Sequence, residues 1–124
     1  MFKFYRIHLK TVDVVATARW YQERLAGREV EEYRRDGNHH ILLDVDGIEI
    51  IITQPADAAT LPVAPAEPHI GLEHFGLTTG DLQGLLTDME SHGVEIIERA
   101  PPGTEGEYAF VRAPDGVRLE LVQG

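Results

Sequence analysis

The sequence has no cysteine, no long apolar run and few basic residues. Without cysteine it can form neither a disulfide nor a thiolate metal site. No apolar stretch approaches the roughly 18 residues of a membrane-spanning helix. The 11 Lys and Arg residues are outnumbered by 21 Asp and Glu residues, which gives a net charge of −10. Such a chain repels phosphate backbones and anionic membranes, so we expect it to bind a small molecule, with no nucleic-acid or membrane partner. In the absence of an apolar span, a cytoplasmic location is the default expectation.

The chain contains an internal repeat. Each half has a histidine in a strand-like segment, a glycine after a helical stretch and an Asp-Gly turn, namely His8, Gly27 and Asp46-Gly47, then His74, Gly93 and Asp115-Gly116. The first two landmarks are offset by 66 residues and the third by 69. One length change of three residues therefore accounts for the whole alignment.

Hydrophobic periodicity predicts a strand, a helix and three strands in each half. In the first half these are residues 5–11, helix 15–25, and strands 29–33, 39–45 and 48–53. In the second half they are residues 72–78, helix 82–91, and strands 95–99, 107–112 and 117–122. The glycine after each helix suits the left-handed C′ position. We expect an α+β fold of two tandem βαβββ modules, at about 1–54 and 71–124, joined by a proline-rich extended linker within a single domain.

Three polar residues interrupt apolar strands. His8 lies between Ile7 and Leu9, Glu120 lies between two leucines, and Phe75 follows His74. Because successive strand side chains point to opposite faces, all three are expected on the face away from the helices. Two imidazoles and a carboxylate are a ligand set that suits Fe(II) and other first-row divalent ions. The alternatives are a hydrogen-bonded polar cluster without metal, or an ion pair of Glu120 with a buried Arg or Lys.

Three segments resemble the vicinal oxygen chelate superfamily, which includes glyoxalase I, methylmalonyl-CoA epimerase, extradiol dioxygenases and bleomycin-type resistance proteins. They are residues 7–9 leading to 20–25, residues 73–77, and residues 113–121, of which the last is the most specific. The resemblance covers essentially the whole chain. It implies paired βαβββ modules around a cupped, curved mixed sheet, and it carries the metal-ligand positions onto His8, His74 and Glu120.

The fourth ligand position of such a site is the first-half equivalent of Glu120. Counting four residues from each Asp-Gly turn places Ile51 there, which cannot bind metal. Glu49 lies on the same face two residues earlier, and a bulge or shifted register could make it a ligand or a catalytic carboxylate. Without Glu49 the site resembles the dioxygenase branch, and with it the site resembles glyoxalase I and the epimerases.

Further residues are candidates for catalysis or substrate binding. The alignment pairs His39 with Tyr108, and we expect both on the site face as acid–base groups, the alternative being that His39 faces solvent. Phe110 stands where extradiol dioxygenases carry a tyrosine, and Tyr108, two residues earlier on the same face, is the candidate to replace that group. Phe110 and Ile51 are expected to line the substrate, and Arg118 to bind a substrate carboxylate or to pair with Glu49 or Glu120.

The resemblance implies an enzyme that binds a substrate through two neighbouring oxygens at a divalent metal. The Ile51 alignment favours a three-ligand, Fe(II) dioxygenase-type site. The alternative with Glu49 is a lyase or isomerase using Ni, Zn, Co or Mn, and a further alternative is a non-catalytic drug-binding protein. A homodimer is expected, and the site is contained in one chain or shared by two.

Overall fold

The computed structural model describes residues 1–101 and 103–124, which form two compact units, Met1–Pro62 (unit 1) and Val63–Gly124 (unit 2). The boundary falls inside the predicted linker. That linker is not wholly extended, because Ala58–Thr60 forms a 3-10 turn.

Each unit has the predicted βαβββ order, so the fold-class prediction is confirmed. Unit 1 consists of β1 (Arg6–Lys10), α1 (Val14–Leu25), β2 (Arg28–Arg35), β3 (Asn38–Val45) and β4 (Ile48–Gln54). Unit 2 consists of β5 (Phe75–Thr79), α2 (Leu82–Ser91), β6 (Ile96–Arg99), β7 (Tyr108–Arg112) and β8 (Arg118–Gln123). The sheet orders are β1-β4-β3-β2 and β5-β8-β7-β6, and in each the first pair is parallel and the others antiparallel.

Both helices begin at an aspartate N-cap. Asp13 accepts a hydrogen bond from Ala16 N, and Asp81 accepts one from Gly84 N, so each carboxylate satisfies an otherwise unpaired helical N–H. Gly93 has the predicted left-handed conformation, but at the end of α1 Ala26 has it instead of Gly27. Neither helix in the described part of the chain is long and apolar enough to cross a membrane.

The strands next to the helices alternate between a core face and an open face. In unit 2, Ala109, Val111, Leu119 and Leu121 are almost fully buried, and the buried residues of α2 are Leu82, Leu86 and Met89. In unit 1 the same face carries Ile41, Leu43, Ile50 and Ile52. The polar residues of β7 and β8 occupy the other face, as their alternation in the sequence predicts.

The two Asp-Gly turns are not structurally equivalent. Asp46 and Gly47 both have positive φ and close a two-residue hairpin between the paired residues Val45 and Ile48. In unit 2 the last pair is Arg112 with Arg118, so residues 113–117 form a longer connection containing the second Asp-Gly. An alignment through these dipeptides therefore misplaces the flanking strands.

Candidate metal and substrate site

The centre of the candidate site in unit 2 is the contact between His74 and Glu120. His74 Nε2 lies 2.8 Å from Glu120 Oε2. Glu120 is on β8 and pairs with Gly76 of β5, whereas His74 precedes β5 and is not within the strand as predicted. His74 directly precedes the edge strand β5, and from there its imidazole still reaches the neighbouring strand β8. The two predicted ligands His74 and Glu120 are therefore in contact.

Charged residues also lie on the side of His74 that faces away from Glu120. The Nδ1 atom of His74 contacts Glu73 Oε2, and the second oxygen of Glu73 lies 3.0 Å from Arg118 Nε. Arg118 Nη2 also lies 3.5 Å from Glu98 Oε2. Arg118 thus forms ion pairs with Glu73 and Glu98 and not with Glu49 or Glu120.

Aromatic rings complete the open face of unit 2. The Phe110 ring meets His74 edge-on, with centroids 4.9 Å apart, and the Arg118 guanidinium lies 4.1 Å from the centre of Phe110. Tyr108 shares this face, as predicted, and its hydroxyl donates to Glu98 Oε1 at 3.1 Å. This hydrogen bond raises the pKa of Tyr108, so the phenol stays protonated at neutral pH and acts as a donor.

In unit 1 two imidazoles meet at one hydroxyl. Thr53 Oγ1 lies 2.8 Å from His8 Nε2 and 2.8 Å from His40 Nδ1. Thr53 is only 4% exposed, whereas His8 is exposed. The ring of His40 stacks on Tyr33 at a centroid distance of 4.5 Å. His8 is therefore exposed to solvent on the open face of unit 1, and the buried Thr53 hydroxyl hydrogen-bonds to its ring.

The two predicted metal-ligating histidines have opposite electrostatic environments. The pKa of His8 is lowered, mainly by partial desolvation and further by Lys10, His40 and Arg6. The pKa of His74 is raised, chiefly by its hydrogen bond to Glu73 and also by Glu120.

Strand register identifies Thr53, and not Ile51, as the unit 1 equivalent of Glu120. Thr53 pairs with Lys10, two residues after His8, and Glu120 pairs with Gly76, two residues after His74. The predicted alignment of Ile51 with Glu120 is wrong, because the turn before β8 is built differently. Ile51 does share the open face of β4 and pairs with His8, but it is only 6% exposed.

Glu49 is held by a different partner from the one expected. Arg6 donates to Glu49 Oε2 from Nε at 3.2 Å and from Nη2 at 2.8 Å, and the two residues are paired across β1 and β4. The β3–β4 ladder runs without interruption from Ile48 to Gln54, and the register shifts lie in β2 and β6. No bulge carries Glu49 toward His8.

The predicted orientation of His39 is also wrong. His39 pairs with Gln54, lies on the helix-facing side of β3, is 8% exposed and contacts Glu32 Oε1 at 2.6 Å. His40 pairs with Thr53 and lies on the open face with His8. Strand register aligns His40, and not His39, with the open-face residues of β7, and a difference of one residue reverses the face of a strand.

The donor types suit a divalent ion, although the described residues do not assemble the predicted set. Within residues 1–101 and 103–124 no group of three or more His, Cys, Asp or Glu side chains is arranged to hold a metal ion. His8 lies in unit 1, and His74 and Glu120 are in contact in unit 2. An imidazole nitrogen and a carboxylate oxygen are donor atoms that first-row divalent ions bind well, and here the two lie next to each other.

Sequence reasoning missed Thr53, His40, Glu73 and Glu98 as members of these clusters. Glu73 carried a signal, because it directly precedes His74 where the first half has Ile7. The other three depend on strand register, which the misaligned turns concealed.

Comparison with known proteins establishes the family. Residues 3–121 match the family model of the Glyoxalase/Bleomycin resistance protein/Dioxygenase superfamily. The chain therefore belongs to this superfamily, which confirms the resemblance seen in the sequence.

Individual relatives are more distant. The chain is 34% identical to glyoxalase I of Saccharomyces cerevisiae over 56 residues, which are 45% of this chain and only 17% of that enzyme. A glyoxylase/bleomycin resistance protein/dioxygenase domain from Frankia sp. EAN1pec superposes with a TM-score of 0.82 at 19% identity, covering 100% of this chain and 98% of that one. The fosfomycin resistance protein FosX from Listeria monocytogenes, in a complex with Mn(II) and 1S,2S-dihydroxypropylphosphonic acid, superposes with a TM-score of 0.80 at 16% identity, covering 100% and 94%. These structural similarities establish the fold.

Proposed function

We propose that the protein is a metal-dependent enzyme acting on a small substrate with two neighbouring oxygens, such as a catechol, a hydroxy-ketone or an enediolate. The observation that carries the proposal is the His74–Glu120 contact of 2.8 Å on the open face of unit 2. The similarity to glyoxalase I and the fold shared with a Mn(II)-containing FosX complex support it.

His8, His74 and Glu120 would hold the ion and leave positions for the substrate. The bound metal would supply a Lewis acid that stabilises an enolate-type oxyanion. Thr53 occupies the register position where a fourth carboxylate would stand, and this favours a three-ligand site of the Fe(II) dioxygenase type. Phe110 and Arg118 share the open face of unit 2 with Glu120 and would border the substrate.

His40 and Tyr108 are the residues best placed to move protons. The Thr53 hydroxyl has one hydrogen and can donate to only one of its two imidazole neighbours. With the lone pair of His8 Nε2 directed at the ion, the Thr53 hydroxyl would not donate to that nitrogen; His40 Nδ1–H would then donate to Thr53 Oγ1, and His40 Nε2 would carry the lone pair. That nitrogen has no hydrogen-bond partner in the described part of the chain, so it can accept a proton from substrate.

A lyase or isomerase is the second candidate, favoured by the 34% identity to glyoxalase I. Proton transfer on a chelated hydroxy-ketone would then replace ring cleavage. This reaction needs no oxygen, and Ni, Co, Zn or Mn would serve as well as iron.

One experiment separates these functions. Metal-free protein is reloaded with Fe(II), Mn, Co, Ni or Zn and tested for oxygen consumption with catechols and, without oxygen, for solvent-deuterium exchange into hydroxy-ketones. We expect activity with at least one metal and its loss in Glu120→Gln, with His92→Gln as the exposed-histidine control. Ligand binding that persists without metal and in Glu120→Gln, with no turnover, would identify a sequestering protein.

Whether the site is shared between the subunits of the expected homodimer is tested by mixing two defective variants. If the site is shared between subunits, unfolding and refolding His8→Ala together with Glu120→Gln creates mixed dimers with one intact site, which restores about a quarter of wild-type metal content. If each site lies within one chain, mixing restores none.

A further inference from the structure

Both ring nitrogens of His74 are engaged, each by a different carboxylate. Nε2 is directed at Glu120, the predicted metal ligand, and Nδ1 at Glu73. A histidine that binds metal through one nitrogen characteristically donates its other N–H to a carboxylate or carbonyl, which fixes the tautomer and the ring orientation.

Glu73 is not held by secondary structure. It precedes β5 and 43% of its side chain is exposed. A carboxylate in such a position is free to turn into solvent unless another group holds it.

Arg118 supplies that restraint. Its Nε atom is shielded from solvent and lies 3.0 Å from Glu73 Oε1, the oxygen that does not face His74, in an ion pair that lacks hydrogen-bond geometry. The guanidinium is fixed in turn by Phe110 beneath it and by Glu98 at 3.5 Å. Arg118 lies on β8 two residues before Glu120, so one strand carries both the predicted ligand and the anchor of Glu73.

We propose that Glu73 is a positioning residue of the metal site: it accepts the Nδ1–H of His74 so that Nε2 presents its lone pair, and Arg118 holds Glu73 in place. The inference rests on the proposed function. It assigns Arg118 to the support of a metal ligand and not to the capture of a substrate carboxylate.

Co(II) titration of metal-free protein tests this without any substrate. Glu73→Ala is expected to weaken Co(II) affinity about 10- to 100-fold, which is the usual effect of removing such a partner. Arg118→Gln is expected to weaken it less, and Glu73→Gln should restore part of the loss because its amide oxygen still accepts the N–H. Glu105→Ala, an exposed carboxylate of the same unit, is the control and should bind as wild type.

A merely structural role would not change the tautomer of His74. In the metal-free protein, at a pH where His74 is neutral, ¹⁵N chemical shifts should show more Nδ1-protonated His74 in the wild type than in Glu73→Ala, where Glu120 is the remaining acceptor and the proton moves to Nε2. Unfolding midpoints verify that the variants fold, as expected for so exposed a residue.

The outcomes are distinguishable. Wild-type and Glu73→Ala proteins that bind Co(II) equally tightly with the same tautomer would overturn this inference and leave the proposed function intact. A wild-type protein that binds no Co(II) would overturn both.

Discussion

Thr53 and Glu120 occupy equivalent positions in the two units, and each lies 2.8 Å from the Nε2 atom of the predicted metal-ligating histidine of its own unit. The equivalence follows from the parallel strand pairs, in which Thr53 is opposite Lys10 and Glu120 opposite Gly76. One half of the repeat therefore has a hydroxyl where the other has a carboxylate.

Replacing this hydroxyl with a carboxylate should complete a four-ligand site. We expect Thr53→Glu to tighten Co(II) binding at least 10-fold, since a further anionic oxygen ligand joins the ion. Thr53 is 4% exposed, so the metal-free variant should lose about 1–3 kcal/mol of stability through the buried charge and recover it when metal is added. Unfolding with and without Co(II) measures both effects. Thr87→Glu on exposed α2 surface serves as the control, and unchanged affinity in Thr53→Glu would argue against the assigned register position.

Glu49 should be dispensable for metal binding because Arg6 holds it. Glu49→Gln is expected to leave metal content unchanged and to cost between about 0.2 and 1 kcal/mol, the range of a partly exposed ion pair. Elemental analysis measures the metal content of Glu49→Gln, and chemical unfolding measures its loss of stability. Loss of metal from Glu49→Gln would show that Glu49 is the fourth ligand after all.

The two site histidines should titrate on opposite sides of pH 6.5 in the metal-free protein. His74 has a raised pKa, so its stabilising effect is complete below pH 6.5 and is lost as the pH rises through its folded-state value. His8 has a lowered pKa, so stability falls as the pH drops below 6.5 toward its folded-state value. Histidine NMR titrations in His8→Gln and His74→Gln assign the two signals. Midpoints on the same side of 6.5 would contradict the local electrostatics described here.

The aspartate at the start of α2 should contribute measurably to stability. Asp81 Oδ1 accepts from Gly84 N at 2.9 Å, and its removal in Asp81→Ala should cost about 1 kcal/mol. Asp57 precedes the 3-10 turn without a side-chain capping bond, so Asp57→Ala should change stability by less than about 0.5 kcal/mol. Urea unfolding of both variants makes the comparison. Equal costs would show that the cap itself contributes little.

Local pattern was sufficient to predict the repeat, the element order and most strand boundaries. The alternation of Tyr108, Phe110, Arg118 and Glu120 with buried apolar residues indicated their common face, and the structure confirms it. The spacing of Leu82, Leu86 and Met89 likewise predicted the buried side of α2.

Register could not be predicted in the same way. The Asp-Gly dipeptides at 46–47 and 115–116 have the same left-handed backbone, but one closes a two-residue hairpin and the other lies in a longer connection. Strand faces alternate at every residue, so aligning the two turns predicted His39 on the open face, where the structure has His40. The support of His74 by Glu73 involves a residue outside any strand, where periodicity carries no information.

The central claim is that His8, His74 and Glu120 share one divalent ion, and elemental analysis tests it most directly. The protein is purified without chelator alongside His74→Ala and the exposed-site control His92→Gln. We predict about one first-row metal ion per chain in the wild type and in His92→Gln, and none in His74→Ala. A wild-type protein that remains metal-free after incubation with Fe(II), Co(II) and Zn(II), or a His74→Ala variant that keeps its full metal content, would contradict it.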